Sequence, residues 1–205
     1  GADNITGNAG NDTISTGYGA DTINAGKGND TIDGGYDNDS YIFNIGDGKD
    51  IIDDASGADR IVFGAGITKS NIQLTFDPVN VYSLIIKIGT NGDQITIRNF
   101  FSRWDNGYKI ESLNFADGSS IDFSNGLTLQ GASVTGDKLY GSMYSDNITG
   151  NTGNDFIYDG GGDDIFTGGK GNDYIDGNNG NDTYFFNIGD GKDTIYDIGG
   201  LDKII

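Results

Sequence analysis

Single apolar residues recur every nine positions at both ends of this chain. They are Ile5, Ile14, Ile23, Ile32 and Tyr41, then Leu139, Ile148, Ile157, Phe166, Ile175 and Tyr184. Their neighbours are mostly polar, so each triplet reads as a short strand with one inward residue and two outward ones. Thr13, Thr22 and Thr31 are outward residues of this kind. The six residues between triplets are rich in glycine, asparagine and aspartate, the composition of a turn. Strand and turn together predict a coil of two nonapeptides, eighteen residues long, with a strand on each side. Such a period is the mark of a solenoid.

From about Gly64 to Thr135 the rhythm stops. Longer alternating runs take over in SLIIKI (83–88), QITIRNF (94–100) and KIESLNFADGSSIDF (109–123), which predict β-strands. Asn91-Gly92-Asp93 between two of them predicts a hairpin. Phe100, Phe101, Trp104 and Tyr108 cluster here and read as the core of a cap more readily than as a carbohydrate platform. A larger period overlies the small one: a shift of 143 residues aligns 29–54 with 172–197 and carries Asp59-Arg60-Ile61 onto Asp202-Lys203-Ile204. The sequence thus reads as one full module and the opening of a second, cut from a longer chain.

Charge changes this picture. The formal net charge is −19, with 31 acidic residues against 12 basic ones. High charge with modest hydrophobicity belongs to disordered chains unless something neutralises it. Glu111 is the one glutamate; every other acid is aspartate, whose short arm keeps its carboxylate close to a turn. The aspartates keep the nine-residue phase, at Asp3, Asp12, Asp21, Asp30 and Asp39, then Asp137, Asp146, Asp155, Asp164, Asp173 and Asp182. Glycine stands two residues before most of them, at Gly1, Gly10, Gly19, Gly28, Gly153, Gly162, Gly171 and Gly180.

GNDTI, GGKGNDYID and NIGDGKDTI resemble the RTX (repeats-in-toxin, haemolysin-type calcium-binding) family. The likeness covers roughly two thirds of the chain, and IRNFF…IESLNFADGS resembles a segment that flanks such repeats. Paired glycines are broken at Asn8, Thr16, Ala25, Ser142 and Asn151, while Asp37 and Tyr144 replace the later glycine, which weakens individual turns. The resemblance implies a parallel β-roll loaded with several calcium ions. It also implies a secreted bacterial protein, exported unfolded by type I secretion machinery and folded on extracellular calcium.

The spacing supports a cation on its own terms. Stacked coils lie about 4.8 Å apart, so residues eighteen apart sit above one another. Asp3, Asp21 and Asp39 form one column and Asp12 and Asp30 another; Asp146, Asp164 and Asp182, and Asp155 and Asp173, repeat the arrangement. After Asp39 the phase slips by two, so Asp50 and Asp59 extend the two columns, as do Asp193 and Asp202 in the second module. At an effective dielectric near 20, each stacked pair of carboxylates costs roughly 3 kcal/mol. A divalent cation between rungs reverses the sign. Aspartates of two coils plus backbone carbonyls near Gly10, Gly19, Gly28, Gly153, Gly162, Gly171 and Gly180 make a hard all-oxygen set, which suits calcium.

The expected fold is all-β: two parallel β-rolls, residues 1–63 and 137–205, separated by a small antiparallel β capping segment at 64–136. The cap covers apolar coil edges. With no cysteine and no histidine, disulfides, thiolate sites, ordinary zinc sites and histidine triads are excluded. The acidic charge argues against nucleic acid, and no apolar run reaches the roughly eighteen residues of a membrane span. No G-x-S-x-G or H-E-x-x-H occurs. Glu111 with Asp117 or Asp122 reads as solvated turn rather than a glycosidase pair. No catalytic residue is expected here, and membrane or host contact is left to other parts of the protein. The alternative is an adhesin or surface-layer repeat, a calcium-stiffened spacer or glycan platform.

Overall fold

The computed structural model describes residues 1–76, 80, 82–101, 110–131 and 134–205, so the expectations for Trp104 and Tyr108 lie outside the described residues. The protein is all-β, with two 3-10 turns at Lys69–Asn71 and Phe123–Asn125 among the described residues. It divides into two compact units, Gly1–Asp122 and Phe123–Ile205.

The first unit begins with β1 (Asn4–Thr6), β2 (Thr13–Ser15), β3 (Thr22–Asn24), β4 (Thr31–Asp33), β5 (Ser40–Phe43), β6 (Lys49–Asp53) and β7 (Asp59–Phe63). Then come β8 (Ile72–Phe76), β9 (Leu84–Ile88), β10 (Asp93–Ile97), β11 (Ile110–Asn114) and β12 (Ser120–Asp122). Odd and even strands of the coils separate into two parallel sheets, ordered β1-β3-β5-β7 and β2-β4-β6, as two strands per coil demand. Asn4 faces Thr22 and Thr13 faces Thr31, a register of eighteen. Beyond Asp39 the register becomes twenty, with Ser40 facing Arg60 and Thr31 facing Ile51. The inward ladder is buried from Ile23 and Ile32 through Tyr41, Ile52 and Ile61.

The flanking segment joins these sheets rather than standing beside them. β10 pairs parallel with β6 and then antiparallel with β9, which pairs with β8. β11 pairs parallel with β7 and antiparallel with β12. The expected antiparallel pairs are present, and the hairpin across 89–92 with them, but the junction itself is parallel. Phe100 and Phe101 are buried edge to face, their ring centroids 5.0 Å apart.

The second unit contains β13 (Thr128–Gln130), β14 (Lys138–Tyr140), β15 (Asn147–Thr149), β16 (Phe156–Tyr158), β17 (Ile165–Thr167), β18 (Tyr174–Asn179), β19 (Thr183–Phe185), β20 (Thr194–Gly199) and β21 (Lys203–Ile204). Again two parallel sheets form, β13-β15-β17-β19-β21 and β14-β16-β18-β20. Ile148, Ile157, Phe166, Ile175 and Tyr184 are the buried core between them. The first strand, β13, lies ahead of the recognisable nonapeptides and pairs parallel with β15, Thr128 facing Asn147, one residue longer than the coil register.

Candidate metal centres

The columns predicted from the sequence are present, and a hydrogen bond holds each rung. The Asp3 N–H donates to Asp21 Oδ1 (2.7 Å), Asp21 to Asp39 (2.8 Å) and Asp39 to Asp59 (2.7 Å). In the second column Asp12 donates to Asp30 (2.8 Å) and Asp30 to Asp50 (2.9 Å). The other unit repeats this. Asp146 donates to Asp164 (2.7 Å), Asp164 to Asp182 (2.9 Å) and Asp182 to Asp202 (3.1 Å). Beside it, Asp137 donates to Asp155 (2.7 Å), Asp155 to Asp173 (2.8 Å) and Asp173 to Asp193 (2.9 Å). Asp50, Asp59, Asp193 and Asp202, placed after the two-residue slip, thus occupy the same positions as the strict repeats.

This bond takes one carboxylate oxygen and leaves the other. Oδ2 of Asp12, Asp21, Asp30, Asp39, Asp59, Asp155, Asp164, Asp173 and Asp182 is buried with no donor. A buried carboxylate oxygen without a partner is costly. A row of them along successive rungs offers the free oxygens a hard cation needs. The donor set is all oxygen and fits calcium.

Glycines make the rungs close. Gly28 has φ 153°, and a Cβ there would lie 1.8 Å from the Gly10 carbonyl oxygen. Gly171 sits likewise on Gly153, Gly180 on Gly162, Gly191 on Gly171 and Gly200 on Gly180, while Gly19 sits on Gly1. The glycine carbonyls named from the sequence are therefore stacked along the turns. At three of the broken or replaced glycine positions the residue present takes the glycine's own conformation. Asn8 (φ 76°), Asp37 (φ 79°) and Asn151 (φ 73°) adopt the left-handed conformation themselves, which asparagine and aspartate tolerate better than other side chains.

Four acids were not read as members of the array. Glu111 lies on β11, and its Oε2 accepts the Asp59 N–H at 2.5 Å, so it ends the Asp3 column instead of lying in a solvated turn. Asp54, Asp159 and Asp197 each join a rung. Carboxylate oxygens of Asp39, Asp54 and Asp59 lie within 4.8 Å of one another, as do those of Asp146, Asp159 and Asp164, and of Asp182, Asp197 and Asp202. All three acids end a D-x-U-x-D motif, at 50–54, 155–159 and 193–197, where U is the inward apolar residue. In an extended strand the residue two past U faces inward again. That position is usually the first glycine of the next turn. The signal was in the sequence, but its meaning needs the orientation of that glycine.

Burial and like charge govern the protonation of these groups in the cation-free chain. Burial, with neighbouring aspartates adding to it, pushes Asp50 and Asp182 up to about 7 and Asp59 and Asp164 up to about 6. Asp54 rises to about 8, and burial carries Asp159 well above the carboxylate range. Asp39, Asp146, Asp155 and Asp173 are raised for the same leading reason. Burial also raises the Tyr41 and Tyr184 hydroxyls, which stay protonated and donate to Asp54 and Asp197. A bound dication favours the charged carboxylates and reverses this trend.

Comparison with known proteins follows the same division of the chain. The family described as RTX calcium-binding nonapeptide repeat (4 copies) matches residues 1–32, 15–48, 46–68, 140–174 and 160–195. A haemolysin-type calcium binding protein related domain matches residues 84–129. No match is found among curated proteins. Among solved structures, the extracellular lipase LipA from Serratia marcescens is 19% identical with a TM-score of 0.19, covering 91% of this chain and 34% of that one. This chain thus spans about a third of the lipase's length.

Proposed function

Since this chain belongs to the RTX calcium-binding nonapeptide repeat family, we propose that it is a non-catalytic module of a secreted bacterial protein whose coils fold on calcium. The observation that carries this reading is the row of buried Oδ2 atoms without donors along successive rungs. The ligands are then Asp3, Asp12, Asp21, Asp30, Asp39, Asp50 and Asp59, with Asp146, Asp155, Asp164, Asp173, Asp182, Asp193 and Asp202, helped by glycine carbonyls of the turns. A dication there offsets the mutual repulsion of the columns, and its binding energy becomes folding energy. Extracellular calcium modules commonly bind at about 10⁻⁴–10⁻³ M. A chain of this kind stays open where calcium is scarce, which suits export through a type I channel, and closes outside.

The test is far-UV circular dichroism of the whole chain in excess chelator, followed by calcium. The expected result is little β-structure in chelator and a cooperative gain on titration. A chain already fully β-structured without calcium overturns coupled folding. A chain that gives no heat or spectral change with calcium overturns the ligand assignment.

A further inference from the structure

Three rungs differ from the rest in charge and in backbone. In an ordinary turn, the residue five before the rung aspartate is glycine, and a Cβ there would strike that aspartate. At Gly150 it would lie 2.3 Å from Asp155 Oδ2, and at Gly168 it would lie 2.4 Å from Asp173 Oδ2. The next residue takes positive φ, as at Asn151 and Gly169. Asp54, Asp159 and Asp197 occupy the first-glycine position, and the residues after them, Ala55, Gly160 and Ile198, do not take positive φ. Past Asp197 the chain stays in strand, β20 running on to Gly199 with Asp197 paired to Asn178, whereas β6 and β16 end just before Asp54 and Asp159. In each case a carboxylate lies beside two others.

Each cluster carries buried oxygens that nothing in the protein satisfies. Asp39, Asp54 and Asp59 are 0%, 3% and 1% exposed, and Asp39 Oδ2, Asp54 Oδ1 and Asp59 Oδ2 have no donor. Asp159 and Asp164 are 0% and 1% exposed, with Asp159 Oδ1 and Asp164 Oδ2 without donors; in the third cluster Asp182 is buried with Oδ2 lacking a donor, Asp197 is half-buried and Asp202 exposed. Two of the added carboxylates are steered from inside the roll. Tyr41 and Tyr184, at inward ladder positions, donate their hydroxyls to Asp54 Oδ2 and Asp197 Oδ2, the latter at 2.6 Å. Asp159 is held by the Gly161 N–H at 2.6 Å.

We propose that these three-carboxylate clusters form a separate, tighter class of calcium site, loaded before the two-carboxylate rungs and able to hold a trivalent lanthanide ion. This rests on the calcium reading above and deepens it. Three carboxylates balance a trivalent ion, and calcium affinity rises with the number of charged ligands and with site rigidity. Each tighter site sits where a cluster spans two coils, so its ion pins one coil to the next and seeds the filling of neighbouring rungs.

The test compares the whole chain with Asp54→Gly/Asp159→Gly/Asp197→Gly, which restores the ordinary glycine in all three turns. A second variant, Asp54→Asn/Asp159→Asn/Asp197→Asn, keeps the side-chain shape and removes only the charge. Calcium binding is read by titration calorimetry, and terbium binding by tyrosine-sensitised luminescence. The parent should show two classes, with the tighter one at least roughly tenfold stronger. Both variants should lose the tighter class, keep the weaker one and lose most terbium emission at low metal. A variant that retains the tighter class overturns the proposal while leaving calcium binding intact. A parent with one uniform class overturns it as well. No calcium binding by the parent is the separate failure of the underlying reading.

Discussion

The first unit contains two regions that share the same two sheets but are held together differently. From Asn4 to Phe63, mostly one residue in nine faces the core, and buried aspartates line both turns: Asp21, Asp30, Asp39, Asp50 and Asp59 are all at most 3% exposed. Among the described residues from Ile72 to Asp122 the core is dense instead. Leu84, Ile85, Ile86 and Ile88 on β9 pack with Ile95 and Ile97 on β10, all buried. Backbone pairing runs from one region into the other without a break, through β6 to β10 and β7 to β11. The difference teaches that a continuous sheet can change its source of stability along its length. Apolar burial carries one part; the other sets a single apolar ladder beside rows of buried carboxylates, and on the proposed reading it leans on a cation.

The largest effect that would break this comparison is removal of calcium. Chelation should open the amides of the coils to hydrogen exchange while β8, β9 and β10 exchange last, because their antiparallel pairing and isoleucine core need no ion. Exchange mass spectrometry resolves the two regions. If both lose protection together, calcium stabilises the unit as a whole and the division of labour is wrong.

Protons should partly replace calcium, in the coils and not in the flank. Asp50, Asp54, Asp59, Asp164 and Asp182 sit at about 6 to 8 in the folded cation-free chain, above their ordinary 3.8. The folded chain therefore binds more protons than the unfolded one across this window. That contribution is fully present below 3.8 and is lost as pH rises through about 6 to 8. In chelator, β-structure seen by circular dichroism should be greater at pH 5 than at pH 8. With calcium the direction reverses, since the ion needs the deprotonated carboxylates, and calcium affinity should climb over the same window. A chelated chain equally unfolded at pH 5 and pH 8 would count against the buried-carboxylate account.

Much of this is legible in the sequence. Period and phase gave the columns, and even the slip at Asp50 and Asp59 could be read, because stacking ties residue identity to position every eighteen or twenty residues. Three things could not be read. The parallel junction of β10 and β11 depends on pairing between distant segments, which local alternation does not encode. The strand β13 has no nonapeptide around it and is recruited by β15. Asp54, Asp159 and Asp197 break the nine-residue phase, and their place beside a rung follows only once the fold brings the first-glycine position against the next aspartate.

The smallest expected effect concerns a residue that the consensus makes look defective. Asn8 stands where the pattern wants glycine, yet it has φ 76° and is exposed, and its carbonyl accepts the Lys27 N–H at 2.8 Å. The carbonyl also lies where a Cβ on Gly26 would be, 2.0 Å away, so the backbone here cannot relax to another conformation without parting the coils. Left-handed geometry costs an ordinary L-residue about 1–2 kcal/mol, much less for asparagine and nothing for glycine. Asn8→Gly should therefore leave the calcium-loaded melting point nearly unchanged, while Asn8→Ala should lower stability by about 1 kcal/mol, a difference that thermal or denaturant unfolding resolves. The matching pair at Thr13, outward on β2 with ordinary strand geometry, should show no such contrast. If Asn8→Ala and Asn8→Gly melt alike, the turn does not enforce its left-handed residue, and asparagine there is a consensus break after all.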